Sequence, residues 1–213
     1  MIRAFVGAGG KTTLIHKQAA QYRAEGKQVF VTTSTHMFIE PDTVLSDDAD
    51  LIIAELNGRG YVMAGIPENG KIRPLSLETY RRVCAQADEV LLEADGSNRK
   101  PIKFPNSTEP VIYDNVEEIV VVCGLQALGK PLREVAHRPE LVMACLGVSG
   151  ETVIAPEHIV KLVREGYLRP LERRYRNVSV YPAGGTRQQK EEFLRLLEMR
   201  KENESDHKIA VVG

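Results

Sequence analysis

A glycine-rich segment near the start of the sequence carries the residue types that bind phosphate groups. It reads Gly7-Ala8-Gly9-Gly10-Lys11-Thr12-Thr13 and follows the apolar run Ala4-Phe5-Val6. Glycine lets a backbone pass close to an anion in conformations that side chains forbid, so several N–H groups can converge on one phosphate. Lys11 would reach the terminal phosphates as a point charge, and the Thr12 hydroxyl is placed to bind Mg²⁺. The segment therefore predicts a nucleoside triphosphate site at residues 7–13.

The spacing of this loop is shorter than the usual one. The common phosphate loop, G-x-x-x-x-G-K-[ST], would need glycine where this sequence has Phe5, and the sequence instead reads G-x-x-G-K-T. The shorter form resembles the phosphate loop of the Mur ligases and folylpolyglutamate synthases, which are ATP-dependent ligases. That resemblance keeps open an alternative function, an ATP-dependent ligase or kinase that acts on a small acid.

Two carboxylates follow the apolar run Val90-Leu91-Leu92. An apolar strand that ends in acidic residues is typical of a nucleotide site that holds Mg²⁺. Glu93 and Asp95 are two residues apart, so on an extended chain both project to one face, where they repel each other unless a cation lies between them. We predict that Glu93 and Asp95 bind Mg²⁺ together with Thr12. An Asp-Gly turn would also explain Asp95, without any metal.

Two further segments carry candidate residues. The run Gln28–Thr33 predicts a strand, and the ends of parallel strands form the ligand-binding edge of a sheet, which would place Thr33 and His36 near the phosphate loop. A hydroxyl-rich turn that caps the next helix is the alternative. The basic loop from Asn98 to Pro105 would fold over a bound phosphate as a lid, or would be a solvated turn. We predict Thr33 and Lys100 as nucleotide-binding residues, and Lys11, Asp95 and His36 as catalytic residues.

The elements that must position these residues alternate in type along the chain. Helices are predicted from Thr12 to Glu25 and from Ser76 to about Ala87, and strands at Val90–Glu93 and Glu118–Gly124. This alternation predicts an α/β fold of three layers, similar to P-loop NTPases, with a mostly parallel sheet and helices on both faces. The run from Leu51 to Ala54 predicts one more buried strand, and residues 58–74 predict a small β-hairpin insertion.

Length and composition exclude several other classes of protein. A chain of 213 residues is long enough for one α/β domain, so a single nucleotide-binding domain is predicted over residues 1–213. The net charge is −1 with mixed signs, which predicts neither a nucleic acid nor a membrane as partner. Three cysteines without a CxxC pair indicate a reduced, cytoplasmic compartment. No apolar run is long enough to span a membrane, and Met1 stands directly before the first strand, so no signal peptide is expected.

Four motifs, taken together and in order, resemble the YqeC family. They are V-G-A-G-G-K-T-T-L-I, V-T-T-S-T-H-M, E-A-D-G-S-N-R-K-P-I-K, and G-L-Q-A-L-G-K-P-L followed by H-R-P-E, within residues 2–170. The resemblance implies a P-loop nucleotide-binding protein, with slow nucleoside-triphosphate hydrolysis, that assists the maturation of a selenium-dependent molybdenum hydroxylase. That hydroxylase or its maturation factors are the implied partners. A non-catalytic nucleotide-binding switch or scaffold is a further alternative.

The last part of the sequence departs from the pattern of many relatives. Those relatives carry a segment like N-[KQ]-x-D after a late strand, of the kind that recognises guanine in GTPases. Here the predicted strand Val178-Ser179-Val180-Tyr181-Pro182 is followed by Ala183-Gly184-Gly185-Thr186. The nucleotide is therefore ATP or GTP, with ATP favoured.

Overall fold

Strands and helices alternate from the first residues of the chain, as the sequence pattern predicts. The computed structural model describes residues 1–199 and 210–211. The segments pack as two compact units. The first contains Met1–Phe5, Lys11–Gly96 and Pro110–Glu117, and the second contains Val6–Gly10, Ser97–Glu109 and the described residues from Glu118 onward. The single domain expected over residues 1–213 stays a prediction.

The first unit is built on parallel strands. Its elements, in chain order, are β1 (Ile2–Gly7), α1 (Lys11–Ala24), β2 (Val29–Thr33), β3 (Met37–Phe38), β4 (Thr43–Val44), α2 (Ala49–Arg59), β5 (Tyr61–Ala64), β6 (Ile66–Glu68), β7 (Lys71–Arg73), α3 (Leu77–Cys84) and β8 (Glu89–Glu93). The strand order is β1-β8-β2-β5-β4, and all four pairings between these neighbours are parallel. Strands β3, β7 and β6 form a separate antiparallel sheet.

The core of this unit forms around the central strands. Every residue of β2 and β8 is buried, which is expected of parallel strands covered on both faces. Phe5, Phe30 and Leu91 are fully buried. Burial of such a side chain stabilises a fold by about 1.5–3 kcal/mol. The carboxyl ends of β1 and β8, which bear the candidate residues, are therefore held by a packed core.

The predicted strand from Leu51 to Ala54 is wrong, because these residues lie in α2. The Asp48 side chain accepts hydrogen bonds from the N–H groups of Asp50 and Leu51 and so caps the start of the helix. Ile52 and Leu56 are buried at helical spacing. A short apolar run does not by itself distinguish a strand from one face of a helix.

The predicted hairpin at residues 58–74 contains three kinds of structure. Its first residues end α2, where Gly60 adopts a left-handed conformation with φ of +65°. Tyr61–Ala64 is a strand of the parallel sheet, paired with β2. The antiparallel hairpin itself consists of β6 and β7, from Ile66 to Arg73.

The second unit has its own parallel strands. Its elements are β9 (Ile102–Lys103), β10 (Glu118–Gly124), α4 (Leu132–Val135), β11 (Ala136–His137), α5 (Pro139–Leu146), α6 (Pro156–Val163), α7 (Arg169–Glu172), β12 (Val178–Ala183), α8 (Arg187–Met199) and β13 (Ala210–Val211). Strand β12 pairs in parallel with β10 and β13, and β9 pairs in parallel with β11. Residues Val6 and Gly7 of β1 belong to this unit.

The predicted α/β fold with a mostly parallel sheet is confirmed. The predicted helix from Thr12 to Glu25 is α1, and the strand predicted at Glu118–Gly124 is β10 with the same bounds. The sequence also predicts a charged helix from Arg187 to about Lys201 and a strand from Lys208 to Val212. Helix α8 and strand β13 account for both where the chain is described, and the other residues of those two predictions lie outside it.

Candidate functional site

The glycine loop between β1 and α1 has a backbone that suits glycine alone. The φ angles of Gly7, Gly9 and Gly10 are +90°, +85° and +147°. A Cβ atom on Gly7 would lie 2.1 Å from the carbonyl oxygen of Val122, and one on Gly9 would lie 2.5 Å from the Cα atom of Gly124. The loop backbone therefore packs against the end of β10 so closely that no side chain fits there.

Two further contacts hold this loop inside the second unit. The N–H of Ala8 donates to the carbonyl oxygen of Val122 at 2.9 Å. The side-chain amide of Gln126 donates to the carbonyl oxygen of Gly9 at 3.0 Å. The sequence does not predict this contact, although Gln126 belongs to the motif G-L-Q-A-L-G. The one sequence signal for it is its position two residues after Gly124, the last residue of a predicted strand, because strand ends of a parallel sheet form the ligand-binding edge.

Lys11 and Thr12, the first two residues of α1, contact the carboxylates at the end of β8. The Nζ atom of Lys11 lies 3.2 Å from Oδ1 of Asp95 and 4.0 Å from Oε1 of Glu93. The Thr12 hydroxyl donates to Oε2 of Glu93 at 3.0 Å. The structure thus brings together, within the first unit, the four side chains predicted to bind Mg²⁺ and the terminal phosphates.

The charged groups of this cluster are deeply buried. The exposed fractions are 3% for Lys11, 7% for Glu93 and 0% for Asp95. Burial raises the pKa of Glu93 above its ordinary value, against the opposing effects of the Lys11 charge and the Thr12 hydrogen bond; the charge of Asp95 raises it further. The lysine therefore offsets the repulsion between two carboxylates in a region with little water.

The remaining predicted residues have other contacts. The Thr33 hydroxyl donates to the backbone carbonyl of Glu93 at 2.8 Å, so it supports the end of β8. Half-exposed His36 forms a 2.8 Å contact with Glu68 of the antiparallel hairpin. In the second unit, Lys100 donates to the carbonyl oxygen of Glu134 at 2.7 Å. Thr13 is exposed in the first turn of α1.

The side chains of the cluster fit a magnesium ion that shares its coordination with phosphate. Among the described residues, no group of three or more His, Cys, Asp and Glu side chains is arranged to hold a metal ion. Mg²⁺ in nucleotide sites is usually held by one or two carboxylates, with phosphate oxygens and waters completing its octahedron. Glu93, Asp95 and the Thr12 hydroxyl supply that smaller set of oxygen donors.

A second buried ion cluster lies in the second unit. Glu109 Oε2 accepts from Lys103 Nζ at 2.8 Å and from Arg138 Nη1 at 2.6 Å. The Lys103 side chain is completely buried, and that of Arg138 is about one-third exposed. Burial raises the pKa of Glu109, but the hydrogen bonds from Arg138 and Lys103 outweigh it and hold the pKa below its ordinary value. The cluster ties the loop after β9 to the residue that precedes α5.

Comparisons with known proteins agree with the resemblance seen in the sequence. A family model described as YqeC protein matches residues 3–140. The protein named Uncharacterized protein YqeC from Escherichia coli (strain K12) is 32% identical over 168 residues, 75% of this chain and 66% of that relative. The chain thus spans slightly less than two thirds of the length of this relative.

The solved MinC:MinD cell division protein complex of Aquifex aeolicus also matches, with 12% identity and a TM-score of 0.46, over 92% of this chain and 77% of that chain. Similarity at this level says nothing about function.

None of the helices in the described part of the chain combines the length and apolarity needed to cross a membrane. The family match and the identity with the Escherichia coli relative show that the chain belongs to the YqeC protein family.

Proposed function

We propose that this protein binds a nucleoside triphosphate with Mg²⁺, preferring ATP to GTP, and hydrolyses it slowly. The observation that supports this most is the pair of contacts made by the residues after the glycine loop. Lys11 lies 3.2 Å from Asp95, and Thr12 donates to Glu93 at 3.0 Å. A lysine and a hydroxyl next to two carboxylates are the side chains that a magnesium-bound triphosphate requires.

Each part of this site has a separate role in binding. Backbone N–H groups of residues 7–13 would contact the phosphate oxygens, helped by the positive end of the α1 dipole. Lys11 would exchange Asp95 for the terminal phosphates. Thr12, Glu93 and Asp95 would hold Mg²⁺, which when bound offsets the negative charge of the phosphates.

Hydrolysis would rest on positioning and electrostatic stabilisation. Asp95 is the first candidate to orient the attacking water, because it is buried beside Lys11. His36 is the second candidate, and it would first have to leave Glu68. Thr33 and Lys100 would likewise bind nucleotide only by giving up their present hydrogen bonds, whereas the exposed Thr13 need not.

The experiment that tests nucleotide binding is a thermal unfolding series. The protein is heated with ATP, GTP or their non-hydrolysable analogues, each with and without Mg²⁺. Ligand at a hundred times its dissociation constant stabilises the folded state by about 2.7 kcal/mol, which gives a measurable rise in Tm. We expect a magnesium-dependent rise that is larger with ATP. No rise with either nucleotide would overturn the proposal.

We also propose that the partner is a selenium-dependent molybdenum hydroxylase, or one of its maturation factors, in the cytoplasm. Membership of the YqeC family supports this part. The test is to purify such a hydroxylase from cells with and without this protein and to measure its selenium-to-molybdenum ratio by elemental mass spectrometry. We expect a lower ratio without the protein, restored by the wild type and not by Lys11→Ala. Equal selenium-to-molybdenum ratios with and without the protein would show that it has no role in selenium incorporation.

A further inference from the structure

The contact between Gln126 and the glycine loop has a direction that matters for phosphate binding. The Nε2 group of Gln126 donates to the carbonyl oxygen of Gly9 at 3.0 Å. In a trans peptide the C=O and the following N–H point in opposite directions within one plane. The hydrogen bond on the Gly9 carbonyl therefore determines the direction in which the N–H of Gly10 points.

The surroundings fix the side chain of Gln126 in this position. Leu125, its neighbour in a short helical turn, is 1% exposed and anchors the backbone. On the other side of the amide, Gly184 has a φ of +67°, and a Cβ atom there would lie 2.6 Å from Oε1 of Gln126. Since that space is open only because residue 184 is glycine, the Gly-Gly sequence after β12 allows Gln126 to reach the loop.

The loop needs such a restraint because its backbone is intrinsically free. Gly9 and Gly10 have positive φ values, and glycine populates positive and negative φ about equally. A peptide between two glycines can therefore rotate at little cost, which would turn its N–H away from a bound anion. A donor that holds the Gly9 carbonyl removes this freedom before the ligand arrives.

We infer that Gln126 is a positioning residue of the phosphate loop, which aims the N–H of Gly10 at a phosphate oxygen of the bound nucleoside triphosphate. The inference rests on the proposed function. Gln126 acts through the backbone of Gly9 and needs no contact with the nucleotide. Its amide donates to the loop, and Gly184 provides the space for it.

The test compares two variants with a control. Gln126→Leu keeps the size of the side chain and removes the donor, while Gln126→Glu replaces the donor with a charged acceptor facing a carbonyl oxygen. The control is Gln86→Leu, at an exposed position outside the proposed site. Affinity for the magnesium complexes of ATP and GTP is measured by titration calorimetry, and the Tm is measured without nucleotide. In addition, the amide signal of Gly10 is recorded by NMR in the nucleotide-free protein.

We expect Gln126→Leu to bind nucleotide about tenfold more weakly. Without the restraint on the Gly9 carbonyl, the Gly10 N–H would no longer be held toward the charged phosphate oxygen, and the loss of one hydrogen bond to a charged group has about this effect. Gln126→Glu should bind more weakly still, and both variants should shift the Gly10 amide signal. The nucleotide-free Tm should stay within about 3 °C of the wild type, because an exposed polar contact contributes little stability. A merely structural role would instead lower the Tm and leave the affinity unchanged.

The outcomes separate this inference from the function on which it rests. Wild-type affinity and an unshifted Gly10 signal in both Gln126 variants would overturn the positioning role and leave the nucleotide site standing. If the wild type itself binds neither nucleotide, the proposed function fails and the positioning role fails with it.

Discussion

Asp95 Oδ1 lies 3.2 Å from Lys11 Nζ, and both side chains are buried. In the proposed site these two groups bind different parts of the ligand: the lysine would contact the phosphates, and the carboxylate would contact Mg²⁺. Nucleotide binding at this site would therefore separate the ion pair. When Lys11 leaves, Glu93 and Asp95 face the incoming phosphate charge, so binding of nucleotide and binding of Mg²⁺ should depend on each other.

The Lys11→Ala variant tests the double role of this lysine. We expect it to lose the nucleotide-dependent rise in Tm and to lose about 3 kcal/mol of unfolding free energy, because it removes a cation that lies beside two buried carboxylates. Lys17→Ala, at an exposed position on the same helix, is the control and should change stability by less than about 0.5 kcal/mol. Urea unfolding and thermal shifts measure both quantities. If Lys11→Ala kept the wild-type, nucleotide-dependent rise in Tm, Lys11 would not be part of the nucleotide site.

Asp95→Asn should lower the dependence of nucleotide binding on Mg²⁺. With one carboxylate neutral, less repulsion opposes the phosphates when the metal is absent, so magnesium-free affinity should rise. We expect the ratio of dissociation constants without and with Mg²⁺ to fall about tenfold, which corresponds to about 1.4 kcal/mol.

Glu93→Gln is the matched comparison for Asp95→Asn. Its amide oxygen can still accept the hydrogen bond that the Thr12 hydroxyl donates to residue 93. Both variants are titrated with nucleotide at several magnesium concentrations, and we expect their magnesium dependences to differ. Wild-type dependence in both would show that neither carboxylate binds the metal.

Two substitutions of glycine by alanine should change the unfolding free energy in opposite directions. Gly9→Ala places a Cβ atom 2.5 Å from the Cα atom of Gly124 at a φ of +85°, so we expect a loss of at least about 1 kcal/mol and of nucleotide binding. Gly58 lies inside α2, where a Cβ atom would have no neighbour within 4 Å. Gly58→Ala should therefore gain about 0.5–1 kcal/mol and leave binding unchanged. The unfolding free energies of both variants are measured by urea unfolding. Equal changes in the two variants would contradict the loop geometry.

Glu109→Gln should destabilise the protein at neutral pH by about 2 kcal/mol, because it removes the carboxylate that pairs with the buried Lys103 side chain. The pKa of Glu109 is held below its ordinary value in the folded state. The stabilisation by its charge is therefore present above the unfolded-state pKa of about 4.3, and it is lost as the pH falls through the lower folded-state pKa.

The measurement for Glu109 is urea unfolding of the wild type and the variant at pH 7, 5 and 3.5. The difference in unfolding free energy should persist at pH 5 and shrink at pH 3.5. Glu151→Gln is the control, because Glu151 and its partner Arg133 are largely exposed. A difference that stays constant down to pH 3.5 would show that the Glu109 charge contributes no stability.

The sequence by itself determined the parallel α/β class, the glycine loop and the four side chains that meet after it. These depend on local rules. Glycine next to Gly-Lys-Thr requires an unusual backbone, and the near-continuous apolar run at Glu118–Gly124, with its three valines, is typical of a buried parallel strand. Strands of one parallel sheet end at the same edge, so the chain positions of Lys11 and Glu93 were enough to predict their approach.

Only the tertiary structure decided what each of the other candidate side chains contacts. The helix that contains Leu51–Ala54 is a different case, because Asp48 and Gly60, which cap its two ends, are local residues that the apolar run alone does not take into account. His36 pairs with Glu68 and Lys100 with the carbonyl of Glu134, partners 32 and 34 residues away along the chain. Gln126 reaches Gly9 across 117 residues. Such contacts depend on how distant segments pack, and no local pattern of residue types records that packing.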